Sequence, residues 1–387
     1  MNRTVFDGID LTVEQRDAVA LAREFAEREI RPRARAVDEA DTESPMDIWA
    51  KAAKVGLTGY MLPAKYGGGG VTDLVTQCLV QQELCYGDIG IGNFITSSAF
   101  FAGPVEALGN DEQTERWLKP LTLENPPITS VAVTEPGVGS DAASLQTRAV
   151  RDGDHYVLSG QKTWISNAPY AQRLVIFATI DPTLHSRGIT AFVVERDNPG
   201  LTIGRPMKKM GQRAIVNAEV FLDNVRVPMT DRLGDEGQGF YGLMKTFDVS
   251  RTLIGAGATG LSRAALDATI DYAHQRTQFG KPIHEHQAVA FRLADMAAKT
   301  DISHLVTMRA ARLFDAKMPA TVESAIAKLT ASENTTWVTN AALQTHGGWG
   351  YSREFLVEKW FRDAKLEEIE EGTSDIQRLI ISRSLGK

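Results

Sequence analysis

Apolar positions fall into three zones with different periods. Up to about residue 125 they recur every three or four positions. Thr12 and Gln15 stand at the spacing of a capping box, and Val19, Ala22, Phe25 and Ala26 follow at helical intervals as far as Pro32. Ser44 and Pro45 predict an N-cap and first-turn proline for a second helix that stops at Gly56. The "YGGGG" at 66–70 reads as a flexible loop. Helical material resumes over about 72–109 and 112–121. "ENPPIT" (124–129) then breaks the pattern and predicts a domain boundary.

From about 128 to 226 the period changes to two. Seven or so short runs rich in Val, Ile, Phe and Thr alternate with turn residues, and Asp152–Gly153 is a hairpin signal. This predicts a compact β-barrel or sandwich. From about 237 the helical period returns, with long patterns at 238–274, 285–316 and 319–346 and shorter ones near 353–369 and 373–385. "GAGATG" (255–260) lies inside the first. Each helical glycine costs roughly 1 kcal/mol against alanine, so the cluster suggests close approach of another backbone. The expected architecture is an N-terminal helical domain (1–125), a central β-barrel-like domain (126–235) and a C-terminal four-helix bundle (236–387).

Composition narrows the function classes. A chain of 387 residues predicts two or three domains. Net charge is −7, and no basic stripe interleaved with aromatics stands out, which argues against nucleic acid as partner. No window holds about 20 apolar residues, so no membrane insertion is expected. The start resembles neither a secretory signal nor a transit peptide. Cys78 and Cys85, seven apart on a predicted helix, are expected to stay unbridged, which fits a reducing, cytoplasmic setting.

Five stretches could carry chemistry. "VAVTEPGVGSD" (131–141) is a strand running into a Gly-rich loop; its composition suits an ordinary turn as well as a ligand loop. "GQKTWISNA" (160–168) puts Trp164 and Ser166 on one side of a strand, where a tryptophan is more often core than platform. "RTQFGKPIHEHQ" (276–287) offers Arg276, Gln278 and Lys281 to a phosphate, though a polar inter-helix loop is the plainer reading. His284 and His286 lack partners to complete a metal set, so no metal is expected. "QTHGGWGYSREF" (344–355) ends a helix at Gly347 and Gly348. "EEIEEGTSDIQRLI" (367–380) crowds four carboxylates ahead of Gly372, usually a solvated helix face.

Taken together and in this order, "TEPGVGSD", "GQKTWISN", "RTQFGKPIHEHQ", "QTHGGWGY" and "RDAKLEEIEEGTSDIQRLI" resemble the acyl-CoA dehydrogenase family of flavoproteins over nearly the whole chain. The resemblance implies FAD between the β domain and the C-terminal bundle, reaching a neighbouring subunit. It implies that Val133, Thr134, Gly139 and Ser140 hold the flavin ring, with Trp164 and Ser166 against its other side. Arg276, Gln278, Phe279 and Gln287, with Gln344, Gly347 and Gly348, would reach the FAD held mainly by the partner. Thr373 and Asp375 would meet its adenosine half. Ser140, Asp248, Arg251 and Gly372 would contact the thioester.

Glu371 matches the family's catalytic base; a second branch places its base at the position of Ser250, where serine cannot serve. The implied reaction is α,β-dehydrogenation of an acyl-CoA to a trans-2-enoyl-CoA. Glu371 would take the α-proton, with its backbone N–H and a ribityl hydroxyl steadying the thioester oxygen, and flavin N5 would take the β-hydride. An electron-transfer flavoprotein docking near Trp164 and a homotetramer are implied partners. Alternatives are a carrier-protein-bound substrate, the reductase direction, an oxygen-using oxidase, or a non-enzymatic scaffold; peroxisomal-type oxidases are much longer than this chain, which argues against that version. Three features depart from the family's habit or bear on substrate. Glu370 stands where an aromatic is common and is expected to turn outward, as are Glu367 and Glu368. "GQRAIVNAEV" (211–220) lacks the usual Ser and Thr. Phe94, Phe100 and Phe101 hint at a short or branched acyl chain.

Overall fold

The computed structural model describes residues 11–386. The capping box closes as the spacing requires: the Gln15 N–H donates to Thr12 Oγ1 at 3.2 Å, and the Thr12 N–H to Gln15 Oε1 at 3.1 Å. It starts α1 (Val13–Phe25), whose inward face is Val19, Ala22 and Phe25. A π-turn (Ala26–Ile30) and a 3-10 turn containing Pro32 lead into α2 (Ala34–Ala40), followed by α3 (Met46–Lys54). Ser44 does not cap α3. Pro45 takes the cap position with ψ 74°, and the helix ends at Lys54, short of Gly56. The Gly-rich loop is pinned rather than free: the Gly69 N–H donates to Gly59 O at 3.0 Å and the Gly70 N–H to Leu62 O at 2.9 Å. Four more helices complete this zone: α4 (Leu74–Gly87), α5 (Ile89–Ile95), α6 (Ser98–Leu108) and α7 (Asp111–Leu118).

The central strands are β1 (Thr129–Ala132), β2 (Arg148–Asp152), β3 (His155–Ser166), β4 (Arg173–Thr179), β5 (Ile189–Glu195), β6 (Leu201–Ile203), β7 (Asn217–Pro228) and β8 (Arg232–Leu233). They form one sheet in the order β6-β7-β3-β2-β4-β5-β8, with β1 parallel beside β4. The path ends at β6 and β8 without closing, so the sheet is not a closed barrel, although β3, β4, β5 and β7 share one core. Alternation alone cannot separate these cases, because it is the same in each. β4 is buried on both faces: Leu174, Ile176 and Ala178 join one core, while Val175 and Phe177 join another that α6, α7 and Leu243 complete. The β2–β3 hairpin turns at Gly153, φ 63°. Facing β7, β3 carries bulges between Leu158 and Gly160 and between Lys162 and Ile165.

The last zone comprises α8 (Gly239–Gln275), a small hairpin of β9 (Thr277–Gln278) and β10 (Lys281–Pro282), α9 (Gln287–Asp315), α10 (Thr321–His346), α11 (Gly348–Tyr351), α12 (Val357–Glu367) and α13 (Ser374–Leu385). α8, α9 and α10 pack on one another, and α12 and α13 lie along α10. α4 also packs on α8, and there the glycine cluster acts as expected. A Cβ at Gly260 would sit 2.3 Å from the Gln82 carbonyl oxygen, so the two backbones touch.

One buried ionic knot ties the zones together. Asp88 Oδ1 caps α5 by accepting the Ile91 N–H at 3.1 Å. The Lys359 ammonium, on α12, donates to the other Asp88 oxygen and, at 2.5 Å, to Asp363 Oδ2. Asp363 Oδ1 accepts the Gln212 N–H at 2.6 Å. Burial opposes the Lys359 charge, but the two carboxylates overcome it and hold its pKa above the ordinary lysine range. Among the described residues no helix is long and apolar enough to cross a membrane.

Candidate active site

Between α12 and α13 the chain reverses in an unusual way. Glu371 has φ 52° and Gly372 φ 89°, two consecutive left-handed residues. Glycine accepts this freely; for glutamate it costs about 1–2 kcal/mol. Donors from three helices offset that cost. Arg251 Nε donates to the Glu371 carbonyl at 3.2 Å, from α8. Lys328 Nζ donates to the Gly372 carbonyl at 2.9 Å, from α10. Gln377 Nε2 reaches both carbonyls, at 3.2 and 2.8 Å, from α13. Hydrogen bonds from charged donors contribute roughly 1.5–3 kcal/mol each, enough to hold the turn.

The Glu371 side chain is half-buried, and Ser250 Oγ donates to its Oε2 at 2.7 Å. Desolvation lifts its pKa to about 7. The Ser250 hydrogen bond works against that rise, the Glu370 charge adds to it, and Arg251 and Lys328 pull down. A carboxylate tuned in this way is poised to take a proton near neutrality.

The neighbouring carboxylates correct the outward-facing expectation. Glu367 is 0% exposed and accepts from Gln212 Nε2 at 2.6 Å. Burial and the Glu370 charge push its pKa well up, and the hydrogen bond from Gln212 works against that rise. Glu370 is half-buried, not turned outward, with Lys328 and Lys209 supplying nearby positive charge. Glu368, also half-buried, pairs with Lys365 at 2.7 Å. Within 211–220, Gln212, at φ 45° and fully buried, gives its main-chain N–H to the Asp363 carboxylate and its side-chain amide to Glu367 Oε1. The strand starts only at Asn217.

A second cluster sits on the sheet. Trp164 lies in the β3 bulge with φ 61° and is 56% exposed, so the core reading for this tryptophan is wrong. Ser166 is exposed on the same side, with Ile165 buried between them. The loop after β1 runs alongside: the Thr163 N–H donates to Thr134 O at 2.9 Å, and Ser130 Oγ to Ser166 O at 2.6 Å. Val133 and Thr134 are half-buried, Gly139 and Ser140 exposed. Cβ positions at Gly137 and Gly139 would meet nothing within 4 Å. An open glycine loop beside an exposed indole suits a flat heteroaromatic ring.

Beneath this loop lies a buried pair that composition did not reveal. Lys162 Nζ donates to Glu135 Oε1 at 2.7 Å and to the Val133 carbonyl at 3.0 Å, while Glu135 accepts the Gln146 and Thr147 N–H groups at 2.6 and 2.9 Å. Burial lowers the Lys162 pKa to about 8. Lys209 links this cluster to the first: it donates to Asn217 Oδ1 at 2.7 Å, and Asn217 Nδ2 donates to Trp164 O at 2.8 Å. Burial lowers the Lys209 pKa to about 8, with the Glu370 charge opposing.

The remaining candidates divide. Asp248 and Arg251 join the base: Arg251 Nη1 donates to Asp248 Oδ1 at 3.3 Å, and Thr321 Oγ1 to Asp248 Oδ2 at 2.6 Å. Thr373 Oγ1 caps α13 by accepting the Ile376 N–H at 3.3 Å, and Asp375 is exposed in its first turn. Arg276, Gln278, Phe279, Gln287, Gln344, Gly347 and Gly348 are all exposed and gather elsewhere, at the far end of α8. There Tyr272 stacks on His346 at 4.2 Å, and Gly347 ends α10 at φ 62°. Ser250 and Gln275 lie on one helix, about 38 Å apart at 1.5 Å per residue. Phe94 and Phe101 are core residues, Phe94 against Trp49 at 5.2 Å, so they carry no information on acyl-chain length; Phe100 is half-buried. No group of three or more His, Cys, Asp or Glu that could hold a metal occurs among the described residues.

The three domain profiles of one family match in the order of the chain: acyl-CoA dehydrogenase N-terminal domain over residues 12–124, middle domain over 130–225 and C-terminal domain over 237–386. The chain belongs to the acyl-CoA dehydrogenase family. This acyl-CoA dehydrogenase is 42% identical to a probable acyl-CoA dehydrogenase of Bacillus subtilis, covering 98% of this chain and 99% of that one. It is 39% identical to the mitochondrial short-chain specific acyl-CoA dehydrogenase of Bos taurus, over 99% and 93%. It is also 39% identical to a caffeyl-CoA reductase–Etf complex subunit of Acetobacterium woodii, over 95% and 97%. Its fold superposes on butyryl-CoA dehydrogenase from Megasphaera elsdenii with a TM-score of 0.94, at 34% identity over 98% and 100% of the two chains. The acyl-CoA dehydrogenase is therefore an oxidoreductase acting on acyl-CoA, with FAD as its cofactor.

Proposed function

We propose that Glu371 is the general base of an acyl-CoA α,β-dehydrogenation. The carrying observation is its carboxylate, lifted to about 7 by burial and held by Ser250 of α8, on a left-handed turn whose carbonyls Arg251 and Lys328 hold from α8 and α10. The Cα–H bond gives its proton to this carboxylate. Bound FAD supplies the acceptor for the Cβ hydride, so the thioester leaves with a new double bond. The Val133–Thr134 loop, with Trp164 and Ser166, would hold the flavin ring. Gly139 and Ser140 leave the loop open to both ring and thioester. The Glu371 N–H polarises the thioester carbonyl. Asp248, Arg251 and Gly372 would line the thioester's approach, and Thr373 and Asp375 would hold the adenosine half of FAD.

Arg276, Gln278, Phe279, Gln287, Gln344, Gly347 and Gly348 serve the cofactor of a second copy, because the length of α8 keeps them from their own chain's ring. Phe279, 94% exposed at the hairpin tip, supports this reading. The assembly is a homotetramer in the cytoplasm, and the electron acceptor is an electron-transfer flavoprotein docking near Trp164. Likeness to the caffeyl-CoA reductase–Etf subunit favours a second reading, in which Glu371 delivers a proton to an enoyl-CoA in the reductive direction.

Glu371→Gln is expected to keep the yellow FAD spectrum and lose anaerobic bleaching by acyl-CoA, the rate falling by about 10² to 10⁴. A screen of short, branched, aromatic and cyclic thioesters, each also tested as its enoyl form with reduced enzyme, identifies substrate and direction. Turnover retained in Glu371→Gln would move the base to another residue.

A further inference from the structure

We propose that Ser250 is the positioning residue that fixes which oxygen of Glu371 works as the base. The inference rests on Glu371 being that base. Ser250 is buried on α8, and its hydroxyl donates to Glu371 Oε2 at 2.7 Å. The next residue, Arg251, holds the main-chain carbonyl of the same glutamate at 3.2 Å. Two consecutive α8 residues thus hold both ends of Glu371. With Oε2 occupied, Oε1 is the oxygen left to meet a Cα proton.

Ser250 also has a second acceptor. Its Oγ lies 3.4 Å from the Phe247 carbonyl, one helical turn back. When Glu371 is ionised, the stronger, charge-assisted bond to the carboxylate wins. Once Glu371 takes a proton, the hydroxyl can swing to Phe247 and release Oε2. The hydroxyl therefore favours the charged base and holds it in one rotamer. The other charged groups facing Glu371 are Arg251 on α8, Lys328 on α10 and Glu370 on its own turn, with Glu367 of α12 behind Glu370. None of these donates a hydrogen bond to the Glu371 carboxylate in the structure.

The test uses FAD-loaded protein carrying ¹³C-labelled glutamate carboxyls, with the Glu371 signal assigned by its absence in Glu371→Gln. Loss of one hydrogen bond to the ionised form raises the Glu371 midpoint in Ser250→Ala by about one pH unit. Ser250→Thr, which keeps the hydroxyl, restores it. The acid limb of bleaching by butyryl-CoA moves with the midpoint in the same direction. Ser250→Cys keeps the volume with only a weak donor and serves if the alanine variant loses FAD. An unchanged midpoint in the alanine and cysteine variants overturns the proposal while leaving Glu371 as base. Bleaching by Glu371→Gln removes the base reading instead, whatever the Ser250 variants do.

Discussion

The sign of the Glu371 shift has consequences in both activity and stability. Its folded pKa, about 7, lies above the ordinary glutamate value of 4.5, so the folded state binds this proton more tightly than the unfolded chain. Its contribution to stability is therefore largest at acid pH and declines as pH rises from the unfolded value to about 7. Activity runs the other way, since only the ionised form accepts a proton, and bleaching should rise through about pH 7. Glu370→Gln removes a like charge, so the acid limb of the pH–rate profile is expected to move to lower pH; a limb moved upward would mean that Glu370 does not act through its charge.

Which carboxylate faces inward was only half legible. Trp360, Asp363, Ala364 and Glu367 recur at helical spacing and are buried together, so periodicity does point Glu367 inward. The cost of burying a charge argued against it. What resolves the conflict is Gln212, 155 positions earlier, whose side-chain amide meets the buried carboxyl, a partner that local sequence does not show. Lys328 is a similar case. It stands among small residues on α10, a phase that places it inside, but its partner carbonyl at Gly372 belongs to the later turn.

At the level of elements, helices were well marked because their signals are local. The three long patterns and the C-cap at Gly347 reappear within two residues or so as α8, α9 and α10. Sheet closure was not legible, because it depends on which strands meet at the edges. The exposure of Trp164 was hidden too, since it follows from a bulge that shifts the register against β7. The Lys162–Glu135 pair clamps that strand to the loop after β1, which we propose holds the flavin ring. Breaking a buried ion pair by removing one partner costs about 3–5 kcal/mol. Glu135→Gln is thus expected to weaken FAD binding at least about tenfold, measured by titrating apoprotein with FAD. Undiminished affinity would show that the loop keeps its shape without the clamp.

At the scale of the whole molecule, α8 sets Ser250, beside the proposed base, about 38 Å from Gln275, at the end where the residues proposed to serve a second copy's FAD gather. Arg276→Ala is expected to lower FAD retention and loosen the oligomer together, each by about an order of magnitude in dissociation constant, read by absorbance and sedimentation. Retention unchanged at low protein concentration would assign Arg276 to another task. The same scale gives meaning to the Lys359 knot. Its members come from α5, from the segment before β7 and from α12, so helical head, sheet and tail share one dry electrostatic fastening. Parting head from tail would strand Asp88 without its ammonium in the interior, and moving the sheet away would cost Asp363 the Gln212 N–H. The fastening thus opposes rigid-body opening, and side-chain and loop movements are the less costly way to admit a long thioester.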